Sequence, residues 1–77
     1  MKELVEFLTK NIIGTSDFEV EEKSENGLVT FIIKAKPEYM GLIIGKGGKT
    51  IKTIRNLAKV RATLEKKSVN ISVEELT

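Results

Sequence analysis

Apolar residues recur along the chain with two different spacings, and each spacing predicts a different element. In residues 2–13 they recur every three or four positions, as in an amphipathic helix; they are Leu4, Val5, Phe7, Leu8, Ile12 and Ile13. The opposite face is covered by Lys2, Glu3, Glu6, Thr9 and Lys10. Gly14 is placed to end this helix. From Phe18 to about Lys23 apolar and charged residues alternate, which predicts a half-buried strand.

The remaining elements follow from the same spacings and from turn residues. Asn26-Gly27 favours a tight hairpin turn because both residues accept positive φ, and residues 28–35, apolar on both faces, predict a central strand. Pro37 favours the first position of a short helix that runs to about Ile43. Residues 49 to 64 or 65 predict a long helix, and 68–73 alternate as a last strand. The predicted order is α-β-β-α-α-β, an α+β fold in one domain over residues 1–77.

Composition excludes several classes of protein. The chain has 77 residues, 40% of them apolar, which suits one folded domain with a small core. It contains no cysteine and no histidine, so it lacks thiolate ligands and the usual general base. We therefore predict no enzyme activity, catalytic residue, metal or cofactor. No apolar run approaches the roughly 20 residues of a membrane span, and the N-terminus is unlike a signal peptide, so we expect a cytoplasmic protein.

Charge is distributed unevenly along the chain. The formal net charge is +2, yet residues 1–27 hold three basic and seven acidic side chains. Residues 40–67 hold eight basic side chains and one acidic side chain. A local positive field of this kind attracts polyanions. A solvated helix face would explain an isolated basic run, but this one begins at a glycine-rich loop.

That loop, Gly45-Lys46-Gly47-Gly48, lies between the short helix and the long one. Glycines let a polyanion approach the backbone without meeting a Cβ atom. The N–H groups at the start of a helix, and the positive end of its dipole, attract phosphate. We therefore expect the N–H groups of Lys49 and Thr50 to face a phosphate, and both Gly45 and Gly48 to admit it.

The residues around the loop resemble the KH family. Residues 43–51, Ile-Ile-Gly-Lys-Gly-Gly-Lys-Thr-Ile, fit the family pattern Ile/Val-Ile-Gly-x-x-Gly-x-x-Ile at every fixed position. A βααβ core over 28–74, preceded by a helix–strand extension over 1–24, is similar to the type II arrangement. The whole chain is similar to the small single-KH RNA-binding proteins of bacteria, the KhpA family. This resemblance implies a three-stranded sheet packed on one side by three helices.

The resemblance also implies a ligand and a site. KH domains clamp about four nucleotides of single-stranded RNA over this loop, with the bases in an adjacent apolar groove. The expected RNA-binding residues are Ile43, Ile44, Gly45, Lys46, Gly47, Gly48, Lys49, Thr50, Ile51, Lys52 and Arg55. Ile54 and either Phe31 or Ile32 are further candidates for the groove floor, with core packing as the alternative for every apolar residue. The implied role is that of a post-transcriptional regulator or RNA chaperone.

The long helix has more apolar surface than one sheet requires. At about 100° per residue its apolar positions sweep roughly 200°, whereas a helix on one sheet needs a stripe a little over 100° wide. The surplus lies around Leu57, Val60 and Leu64, or around Ala58 and Ala62. KhpA-like proteins pair through this helix, so the resemblance implies a homodimer or a heterodimer with a KhpB-like (Jag) KH protein through residues 49–65. Burial under the N-terminal helix is the alternative.

Three other functions compete with RNA binding. Gly48-Lys49-Thr50 resembles the end of a nucleotide-binding P-loop, but that motif requires a glycine five residues before Gly48, where the chain has Ile43. A KH fold can also serve as a protein-assembly module with only nonspecific affinity for polyanions. Single-stranded DNA is a third possibility, since no residue identifies a reader of the 2′-OH group.

Overall fold

The computed structural model describes residues 1–76. Its helices are α1 (Lys2–Ile13), α2 (Pro37–Ile44) and α3 (Lys49–Leu64), and its strands are β1 (Phe18–Glu25), β2 (Leu28–Ala35) and β3 (Ser68–Glu75). A single 3₁₀ turn, Lys46–Gly48, connects α2 to α3. The predicted element order, α-β-β-α-α-β, is confirmed. Within residues 1–76 no helix is long and apolar enough to cross a membrane.

The three strands form one sheet in the order β1-β2-β3, so β2 is central as predicted. β1 runs antiparallel to β2, and β3 runs parallel to it. Asn26 and Gly27 both have positive φ, 49° and 82°, which gives the two-residue turn whose twist matches antiparallel strands. The β1–β2 pairing therefore continues without interruption from Glu25 opposite Leu28 to Phe18 opposite Ala35.

One face of the sheet carries the helices and the core. Alternate residues of β2 are buried on this face, and Phe31 and Ile33 are completely inaccessible. α1 contacts β1, while α2 and α3 contact β3. The other face is polar: the Lys34 ammonium lies 2.6 Å from a Glu21 carboxylate oxygen and 3.9 Å from Glu74. The hydrogen bond from Lys34 lowers the pKa of Glu21, which stays charged at neutral pH.

The buried face of α1 differs from the one its sequence predicts. Val5, Thr9 and Ile13 are its buried residues, while Phe7 is 64% exposed. The prediction that Phe7 is apolar core and Thr9 is solvent-facing is wrong. Residues four apart share a helix face, whereas Phe7 lies about 200° from Val5. Thr9 can be buried because its hydroxyl donates a hydrogen bond of 2.8 Å to the Val5 carbonyl.

The turn after α3 contains a strained lysine that offers a test of local stability. The Lys67 N–H donates to the Ala62 carbonyl and the Lys66 N–H to that of Thr63, 2.8 and 3.1 Å away, a Schellman-type end that prefers glycine. Lys66 has φ 56°. Lys66→Gly is expected to raise the free energy of unfolding by about 0.5–1 kcal/mol. Urea denaturation measures this, and Lys67→Gly, the control, should not stabilise.

Candidate nucleic-acid interface

The glycine loop connects α2 to α3, and three of its residues are glycines with positive φ. α2 ends at Ile44, and the N–H of Gly45 donates to the Gly41 carbonyl at 2.8 Å. Gly45 has φ 75° and ψ 170°, and Gly47 and Gly48 have φ of 65° and 78°. The chain therefore turns within four residues and presents the loop at the N-terminus of α3.

The glycines of the loop serve different purposes. A Cβ atom on Gly45 would lie 2.8 Å from the backbone nitrogen of Thr50 and also against its side chain. Around Gly47 and Gly48 a Cβ atom would meet nothing within 4 Å. The lack of a side chain at Gly45 is therefore explained by the nearby Thr50, and contact between Gly45 and RNA stays a prediction. Gly47 and Gly48 are the residues that leave backbone open to an incoming group.

Backbone donors are free at the tip of the loop. The N–H of Gly48 donates to the Gly45 carbonyl at 3.1 Å, and that of Lys49 donates to Lys46. Among residues 1–76 the N–H groups of Lys46 and Gly47 have no protein acceptor. The expected free N–H of Lys49 is therefore corrected to those of Lys46 and Gly47. α3 has no side-chain cap at its start, so the positive end of its dipole is also uncompensated.

Lysines surround these donors and continue along α3. Lys46, Lys49 and Lys52 are exposed, and in the described part of the chain none lies within salt-bridge distance of a carboxylate. Lys52, half-buried Arg55 and Lys59 follow at helical spacings of three and four, which places them on one face. Lys59 lines a cleft of about 240 Å³ together with Ser68 and Val69 of β3. The basic track therefore starts at the loop, continues along one face of α3 and reaches β3 at Lys59.

The structure divides the apolar candidates for a base groove. Ile43, Ile54 and Phe31 expose 0%, 1% and 0% of their surface and belong to the core. The expectation that Ile43 contacts RNA does not fit this burial, and we restrict its role to support of the loop. Ile44 is 37% exposed, and Ile51 is half-buried beside the loop.

Two further apolar residues, Ile32 and Leu42, lie outside the core. Ile32 alternates with Phe31 and so lies on the polar face of the sheet, away from the helices. Leu42, which the sequence analysis did not select, is 53% exposed. Its exposure follows from its place one residue before the buried Ile43, since adjacent helical residues face different directions, and the sequence alone did not show which of the two is buried.

The apolar surplus of α3 also resolves into two groups. Ala58 and Ala62 are buried in the core. Leu57, Val60 and Leu64 are exposed by 44%, 62% and 76%, so α1 does not cover them. Their spacing of three and four residues forms a continuous apolar ridge, residues 57, 60 and 64. By helical position this ridge lies on a different side of α3 from Lys52, Arg55 and Lys59.

Comparison with known proteins decides the family. The sequence matches the family described as "KhpA/KhpB, KH domain" over residues 2–73. The chain belongs to the KhpA/KhpB family of KH domains. The RNA-binding protein KhpA of Clostridium perfringens is 36% identical over 74 residues, covering 95% of this chain and 99% of that protein. The KhpA of Chlamydia pneumoniae is 38% identical over 77 residues, covering 96% and 94%.

A solved structure agrees with this assignment at the level of the fold. A variant of Aquifex aeolicus Era bound to GDP and aluminium fluoride superposes with a TM-score of 0.68 and 17% identity. The match covers 96% of this chain and 29% of the Era chain. At this identity the likeness shows a shared fold alone. The KhpA/KhpB assignment therefore rests on the family match and the KhpA relatives.

Proposed function

We propose that this KH domain binds single-stranded RNA in the cytoplasm and has no enzymatic activity. Its loop, residues 45–48, would clamp the backbone of about four nucleotides. The observation that carries the proposal is the pair of unpartnered N–H groups on Lys46 and Gly47, set among exposed lysines at the start of α3. The relatives named RNA-binding protein KhpA support the same ligand class.

Each part of the proposed site has a distinct role. Lys46 and Gly47 would donate backbone hydrogen bonds to a phosphate, and Gly48 leaves room for it. Lys49, Lys52 and Lys59 would follow the next phosphates along α3. Ile44 and Ile51 offer apolar contact to bases, and half-buried Arg55 offers donors to a base edge. Thr50 leaves no room for a side chain at Gly45 and so restricts that position of the loop to glycine. We propose that such binding serves post-transcriptional regulation or RNA chaperoning.

The loop variant Lys46→Asp/Gly47→Asp is expected to weaken RNA binding about tenfold or more, because it replaces attraction to phosphate with repulsion. Fluorescence anisotropy of a labelled mixed-sequence single-stranded RNA measures this at two salt concentrations. Wild-type affinity should fall with salt, by about 0.7 log unit per phosphate neutralised for each log unit of salt. A single-stranded DNA of the same sequence shows whether the 2′-OH contributes.

The control for this experiment is Lys23→Asp/Ser24→Asp, which makes the same change of charge on exposed residues of β1. Circular dichroism confirms that both variants fold. If the control weakens binding as much as the loop variant, only net charge matters and the loop is not a clamp. If wild type binds no RNA, the protein-assembly function replaces RNA binding.

We also propose that the ridge of Leu57, Val60 and Leu64 is a partner surface. Its spacing of three and four residues is that of the apolar seam between paired helices, and its members lose contact with water only when another chain covers them. A second copy is the simplest partner, and a KhpB-like KH protein is the alternative. Pairing would place two copies of the 45–48 loop in one dimer and raise the effective affinity for one RNA strand.

A further inference from the structure

A groove runs along the free edge of β1, far in sequence from the glycine loop of residues 45–48. β1 forms one edge of the sheet, since within residues 1–76 it pairs with β2 alone. The groove has a volume of about 530 Å³ and lies between the first turns of α1 and residues 18–22 of β1. Phe18 and Val20 give it an apolar floor, because Phe18 is half-buried and Val20 is 8% exposed.

The backbone along this groove has unused hydrogen-bonding groups. In a hairpin with a two-residue turn, the residues flanking the turn, Glu25 and Leu28, form a hydrogen-bonded pair, and pairs alternate from there. The N–H and C=O groups of Val20, Glu22 and Ser24 therefore point away from β2. In residues 1–76 no other element supplies them with a partner. An added strand would meet three donors and three acceptors.

The side chains along this edge are mostly acidic and therefore favour a positively charged ligand. Glu6, Glu19 and Glu22 border the groove, and among the described residues none of them has an ion-pair partner. Of the described residues that line it, Lys2 alone is basic. Such an edge repels RNA, and it also repels the same edge of a second copy, which is how natural edge strands avoid self-pairing.

We propose that the free edge of β1 binds an extended, basic segment of a partner protein, which adds to the sheet as a fourth strand. Main-chain hydrogen bonds would supply affinity, and the carboxylates would select lysine and arginine at alternate positions. The edge lies across the sheet from β3, beside which Lys59 continues the basic track of α3. RNA and the basic segment can therefore occupy the protein together.

The test uses a fluorescein-labelled, acetylated octapeptide of alternating lysine and valine, titrated into the full chain. Glu22→Pro removes the outward N–H of Glu22 and leaves the β1–β2 hydrogen bonds intact. We expect it to weaken peptide binding about tenfold or more, while the control Glu22→Ala, which keeps the N–H, weakens it about threefold. NMR should show the largest amide shifts at Val20, Glu22 and Ser24.

Other outcomes would overturn the proposal. Equal binding by Glu22→Pro and Glu22→Ala would mean that only charge attracts the peptide, and amide shifts centred on α3 or the loop would place it elsewhere. Absence of binding, or equal binding of an octapeptide with glutamate in place of lysine, would also refute it. If Glu22→Pro does not fold, Ser24→Pro removes the next outward N–H and replaces it in the comparison.

Discussion

Gly45→Ala is expected to lower the free energy of unfolding by about 3 kcal/mol. Gly45 has φ 75° and ψ 170°, a backbone region that is essentially restricted to glycine and costs other residues about 1–3 kcal/mol. The new Cβ atom would also lie 2.7 Å from the Cβ of Thr50 and 2.8 Å from its backbone nitrogen. The first turn of α3 would have to move.

This loss is large for so small a domain. At about 0.05–0.15 kcal/mol per residue, a chain of 77 residues has a total stability of about 4–12 kcal/mol. Urea denaturation followed by circular dichroism measures the change. Displacement of α3 should also weaken RNA binding at temperatures where the variant is folded, because the free N–H groups of Lys46 and Gly47 depend on the same turn.

Alanine substitutions at two other glycines separate backbone strain from the clash with Thr50 as causes of the lost stability. Gly47 has φ 65° but open space around it, so Gly47→Ala should cost only the left-handed strain, about 1 kcal/mol. Gly41 lies inside α2 with open space, so Gly41→Ala should stabilise the protein by about 0.5–1 kcal/mol. Equal effects at Gly45 and Gly47 would show that contact with Thr50 is unimportant.

Elements whose ends are marked by local backbone signals could be predicted from the sequence. Gly14 has φ 74° and its N–H donates to the Lys10 carbonyl, which ends α1 where predicted. Asn26-Gly27 fixed the hairpin, and Pro37 fixed the start of α2. In each case the preference is a property of one or two residues, so it survives without knowledge of the rest of the chain.

Strand ends required knowledge of the sheet. β1 was predicted to end near Lys23 and β3 at Val73, but they continue to Glu25 and Glu75. The added residues are polar and exposed, so no apolar alternation marks them. They are strand because all eight residues of β2 pair on both sides. This is a constraint from tertiary structure, and sequence periodicity does not contain it.

The place of the glycine loop between α2 and α3 could be predicted from the sequence, but the direction of the side chains around it could not. Ile43 and Ile44 are both apolar neighbours, yet Ile43 is in the core and Ile44 is 37% exposed. Likewise Gly45 and Gly48 are the two fixed glycines of the motif. Thr50 occupies the space where a Cβ atom of residue 45 would lie, whereas the corresponding space at Gly48 is open. Such differences depend on which side of each residue the rest of the fold occupies, and a motif does not encode that.

Val60→Asp/Leu64→Asp is expected to abolish self-association through the ridge, with a dimer dissociation constant raised more than about 100-fold. Burial of a valine or leucine side chain is worth about 1.5–3 kcal/mol, and an aspartate in its place would be buried unpaired. Val60 and Leu64 are 62% and 76% exposed in the single chain, so folding should not suffer. Sedimentation velocity measures the mass against the 8.6 kDa of one chain.

The control for the ridge is Asn11→Asp/Ser16→Asp, which adds the same charge at exposed positions outside α3 and should leave self-association unchanged. RNA binding separates the two surfaces of α3. The monomeric ridge variant should keep its loop contacts and lose only the gain from bivalency, so its affinity for a short RNA that reaches one loop should equal that of wild type. A wild-type chain that stays monomeric would contradict self-pairing. The three exposed apolar side chains of the ridge would then require a different partner. In that case a KhpB-like KH protein should bind wild type but not the ridge variant.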